Sequence, residues 1–68
     1  MSRRSDRTAL ISIARETLRE TEDFQAACVD VVNSDHIDRL GPFKDEEARS
    51  QYVEGIVRFA EHQLGWSR

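Results

Sequence analysis

The sequence predicts an all-α fold: a helical hairpin made of a long helix, a short helical connector and a second helix. Three observations predict it. Leu10, Ile13, Ala14, Thr17, Thr21, Phe24, Cys28, Val31 and Val32 fall on one side of a helix stepped at about 100° per residue. Ala48, Tyr52, Val53, Ile56, Phe59 and Ala60 repeat the pattern further on. No stretch of useful length alternates apolar and polar residues in the manner of a strand.

The first helix is expected to open near Ser5 or Asp6, either of which can accept from the free N–H groups of a first turn. Arg3, Arg4 and Arg7 sit poorly at the positive end of a helix dipole, so residues 1–5 read as a flexible basic arm ahead of a single domain at 6–65. Thr21-Glu22-Asp23 also reads as a cap followed by acids, which would split the helix. Because the apolar phase crosses that site without slipping, the expectation is one continuous helix ending at Asn33-Ser34, where side chains favour turns.

Ser34 then caps a short helical turn that places Ile37 and Leu40 inward. Gly41 is expected to end it in the left-handed conformation, and Pro42 forbids continuation. Asp45 is the expected cap of the last helix, with Glu46 and Glu47 favourably placed in its first turn and Gly65 as its stop. Glu54, Arg58 and Glu61 fall opposite its apolar stripe. Gly55, at the edge of that stripe, suggests the close passage of another backbone. Trp66 lies past the stop, in a short tail at 66–68.

Sixty-eight residues make one small domain. Chains of this size often need a disulfide, a metal or a second chain to be stable. Cys28 is the one cysteine, and no Cys/His set has zinc-ligand spacing. The first stripe is also broad, since Leu18, Ile11, Val29 and Ala27 widen it. Two such hairpins can complete a four-helix bundle, so a homo-oligomer, a dimer first, is expected. Its interface would use Leu10, Ile13, Thr17, Phe24, Tyr52, Ile56, Phe59 and Trp66.

Charge is unevenly spread along the chain. Residues 1–19 hold five arginines against two acids, and residues 20–47 hold nine acids against two bases. An acidic middle disfavours wrapping nucleic acid with the whole surface. It leaves a local contact through Arg3, Arg4 and Arg7, in the manner of a minor-groove arm. The apolar run after Arg3-Arg4 is too short for a secretory or twin-arginine signal. Together with the absence of a membrane-length apolar stretch, this gives a cytoplasmic expectation and no membrane partner. Nine of the ten basic residues are arginine, a bias that GC-rich bacterial genomes produce.

The search for chemistry is short. Cys28 sits mid-stripe with no histidine placed beside it, which reads as a packing thiol and not a nucleophile. His36 lies between Asp35 and Asp38, but at helical spacing it shares a face with Arg39 and Leu40. His62 lines up with Arg58 and Phe59, so neither histidine has a second metal ligand on its own face. Phosphate loops and nucleophile elbows are absent. No catalytic residue, cofactor or metal is expected. The reading is a non-catalytic protein-interaction module, an adaptor, inhibitor or small regulator. The alternative is a nucleic-acid-binding transcriptional regulator that uses the arginine arm.

Overall fold

In a computed structural model the chain is described over residues 3–65, and its fold there is all-helical. Among the described residues there are four helices, α1 (Arg3–Thr21), α2 (Phe24–Val32), α3 (Asp35–Leu40) and α4 (Glu46–Gln63), and no strand. Helix α1 begins at Arg3, two residues ahead of the earliest expected start.

The long first helix is broken, contrary to the expectation of continuity. Glu22 takes a left-handed backbone with φ 53°, and Asp23 turns extended to cap α2. The Asp23 carboxylate accepts from the N–H groups of Gln25 and Ala26 at 2.9 and 3.3 Å. The hydroxyl of Thr21 donates to the carbonyl of Thr17 and accepts from the Asp23 N–H, which closes the corner. Local capping therefore outcompetes one more helical turn, and the reward is tertiary. Folding α2 back on α1 buries Ala27 and Val31, and lets Thr17 donate its hydroxyl to Asp30. The uninterrupted apolar phase did not require one rod, because both halves point their stripes at the same core.

The connector forms where expected. Ser34 caps α3 by accepting from the His36 N–H, and Ile37 is fully buried. Gly41 does not take the left-handed stop. Its backbone is extended, with φ −79° and ψ −171°, so the chain leaves α3 directly into Pro42. Asp45 caps α4 by accepting from the Ala48 N–H at 2.8 Å, and Gly65 follows the helix with φ 78°.

Helix α1 packs against all three other helices, and α2 also packs on α4. Eleven apolar residues are buried among the described ones, Leu10, Leu18, Val31, Ile37 and Val57 completely. The Cα radius of gyration is 11.3 Å, against about 11 Å for a closed domain of this length. A single chain thus encloses Leu10 and Ile56 without a companion. Among the described residues, the large apolar side chains left exposed are Val29, Val32 and Phe59.

The inward face of α4 is rotated from the expected stripe. Val53, Ile56, Val57, Ala60 and Glu61 are buried, whereas Phe59 is 39% exposed. Helix α2 packs on α4 after the corner at Glu22, and Ser50, Val53 and Glu54 line the recess between the two helices. Gly55 is exposed, and a Cβ built on it meets no atom within 4 Å. No backbone passes there, so its helical penalty is not offset. Gly55→Ala is expected to stabilise the fold by about 1 kcal/mol. Urea unfolding monitored by circular dichroism checks this, and an unchanged or lower midpoint refutes it.

Candidate functional site

The most organised polar cluster joins the start of α1 to α3. Asp6 stands four residues before Leu10 on the inward stripe, and is only 3% exposed. His36 Nδ1 lies 2.8 Å from Asp6 Oδ1, and an Arg39 guanidinium nitrogen lies 3.5 Å from the same oxygen. His36 and Arg39, three apart on α3, reach the carboxylate together. An Nδ1–H donating to Asp6 leaves no lone pair on that nitrogen for Arg39, 3.2 Å away. The arginine therefore serves the carboxylate. The hydrogen bond from His36 holds the Asp6 carboxyl below its ordinary range; Arg39 adds to this, and burial opposes it.

A carboxylate behind a histidine is also how enzymes and metal sites orient an imidazole. Here one carboxylate serves two partners, and the three side chains fix α3 on α1. Among the described residues no group of three His, Cys, Asp or Glu side chains is placed to hold a metal ion. The cluster was out of reach of local sequence reading, because Asp6 is 30 residues from His36 and 33 from Arg39. One signal did exist: an acid at the i−4 position from Leu10 points into the stripe and needs a partner.

Among the described residues, two recesses stand out. The larger, about 360 Å³, lies between α3 and α4 and is lined by Asp38, Phe43, Asp45 and Arg49, among others. Three of its charged groups are already engaged: Arg49 pairs with Asp38 at 3.4 Å, and Asp45 caps α4. Phe43 stacks obliquely on Tyr52, with centroids 5.5 Å apart.

The smaller recess, about 240 Å³, lies between α2 and α4 and is lined by Gln25, Cys28, Val32, Ser50, Val53 and Glu54. Cys28 is half-buried there, and burial, then Glu54, pushes its thiol above the ordinary value. A raised pKa leaves little thiolate at neutral pH, which suits packing better than nucleophilic attack. Val29 is 54% exposed and Val32 38% exposed on the same helix.

The expected interface residues separate into three groups. Leu10, Thr17 and Ile56 are buried within the chain. Ile13, Phe24 and Tyr52 are half-buried against the core. Phe59 remains at the surface, with the Arg7 guanidinium 5.2 Å from its ring centroid. Trp66 lies outside the described residues. Arg4 and Arg7 are exposed on α1, whose backbone also includes Arg3. The exposed apolar positions that sequence reasoning did not single out are Val29 and Val32, which it placed in the covered stripe.

Among the described residues no helix is long and apolar enough to cross a membrane. In comparisons with known proteins, no family model, no curated protein and no solved structure matches this chain.

Proposed function

We propose that the chain is a small non-catalytic helical interaction module, an adaptor or regulator that pairs with a second copy of itself through the α2–α4 face. The observation that carries this reading is the exposure of Val29 and Val32 beside the recess between those helices. A two-fold interface sets each residue close to its own counterpart, so a strongly charged patch would repel itself. This one is suited to self-contact. Gln25, Cys28, Val29, Val32, Ser50 and Val53 are neutral, and the acid at its edge, Glu54, is paired with Arg58 at 3.5 Å.

The patch is modest, which corresponds to a weak, micromolar association. The core is closed within one chain, so the monomer remains folded when the pair dissociates. Sedimentation equilibrium across micromolar concentrations tests the reading. Val29→Asp, at a solvent-exposed position, is expected to leave the helical spectrum intact and to weaken pairing at least about tenfold. A wild-type chain that stays monomeric at about 100 μM, two decades above a micromolar dissociation constant, refutes the pairing.

A further inference from the structure

We propose that the flank of α1 facing α4 binds the phosphate backbone of duplex nucleic acid, through Arg4, Arg7, Arg15 and Arg19. These residues follow one another with Ile11 in steps of three and four, so they form one stripe along the helix. Contacts to α4 fix which way the stripe faces. Arg7 lies over the Phe59 ring, and Arg15 donates to the side-chain oxygen of Gln63 at 3.2 Å.

None of the four arginines forms an ion pair among the described residues. The pairs present use Arg39, Arg49, Arg58 and His36 instead. In a chain with 13 acids and a net charge of −3, four unneutralised guanidinium groups on one flank are a local exception. Glu16, three residues before Arg19, does not reach it, and Asp6 is turned inward to His36. Glu20 shares α1 with the stripe but forms no ion pair with it among the described residues, and the other acids of the middle segment lie beyond α1.

The chemistry and spacing favour phosphates as the occupant. From Arg4 to Arg19 the stripe spans about 22 Å, with two arginines on either side of Ile11, which is buried in the core. Duplex nucleic acid presents a matching row of anions, and the planar guanidinium fork fits phosphate oxygens in pairs. The Phe59 ring already positions the Arg7 guanidinium over its face before any ligand arrives, which lowers the ordering cost of contact. Contacts of this kind position a protein on the backbone without reading bases. The mode differs from a minor-groove arm, because the cations stand on a packed helix. It is also independent of the α2–α4 pairing, which uses another face.

The test is fluorescence anisotropy with a mixed-sequence DNA duplex of about 20 base pairs, at salt from about 50 to 200 mM. Four phosphate contacts give a slope of about −3 to −4 in log affinity against log salt, a loss of about 100-fold over that range. Arg4→Ala with Arg19→Ala, both at exposed positions, is expected to halve the slope while the helical spectrum is unchanged. Lysine at both positions should restore the slope, since it restores the charge. The proposal is overturned if wild type shows no salt-sensitive binding, or if the alanine pair leaves the slope as it was. It is equally overturned if the arginines drive salt-sensitive self-association without DNA, lost in Arg19→Glu, which would make the acidic middle of a second copy their partner.

Discussion

Leu10→Ala is expected to cost about 2–5 kcal/mol, enough to leave much of the chain unfolded at room temperature. Leu10 is fully buried on α1, the helix that touches every other element, so the cavity would open at the centre of the molecule. A single-chain core below about 70 residues rarely supplies more than about 3–5 kcal/mol in total. The loss is therefore comparable with the whole stability. Leu10→Met nearly conserves volume and should cost less than about 1.5 kcal/mol, which separates the cavity from any change at that position. Urea unfolding of the three proteins gives the comparison. A Leu10→Ala loss below about 1 kcal/mol would mean that the core is not built around α1.

Asp6→Ala is expected to lower the unfolding midpoint more than Asp23→Ala, whose lost helix cap is worth about 1 kcal/mol. The Asp23 carboxylate is exposed and serves two local N–H groups. Asp6 is buried and receives His36 and Arg39 from a distant helix, so its removal also loosens α3 from α1. The acid dependence follows from the same contact. The folded-state pKa of Asp6 is lowered, first by the His36 hydrogen bond, so the folded protein binds fewer protons than the unfolded chain in the acid range. The stability this contributes is fully present above the unfolded carboxylate value of about 3.9. It is lost as the pH falls through the lower folded value. Asp6→Asn keeps an oxygen that can accept from His36 but cannot titrate. Its midpoint should therefore decline less steeply than that of wild type between about pH 5 and pH 2. Parallel curves for the two proteins would show that Asp6 does not hold this pair.

Much of the fold was legible along the chain because its signals are local. Ser34 and Asp45 announce the starts of α3 and α4 by their own hydrogen bonds, and Gly65 marks the stop after α4. Thr21-Glu22-Asp23 carried two local messages, a continuing apolar phase and a cap. Only the energy gained by packing α2 on α1 decided between them. The inward face of α4 was likewise decided by tertiary packing, with Val57 and Glu61 buried and Phe59 at the rim. The candidate surfaces were less visible. The partnership of Asp6 with His36 and Arg39 joins residues far apart in sequence. Arg15 and Arg19 join Arg4 and Arg7 as one flank only when the helix around them is known and its neighbour is placed.

The residues by themselves determined that this protein is helical, where its caps stand, and that positive charge gathers in its first third. Capping and periodicity act within a few residues, so they can be read before anything is folded. Whether the chain bends at Glu22, which apolar side chains are sealed and which stay open, and which carboxylate meets which cation were settled by the tertiary structure alone. Those outcomes depend on burial between elements distant in sequence, a quantity that exists only once the helices have docked.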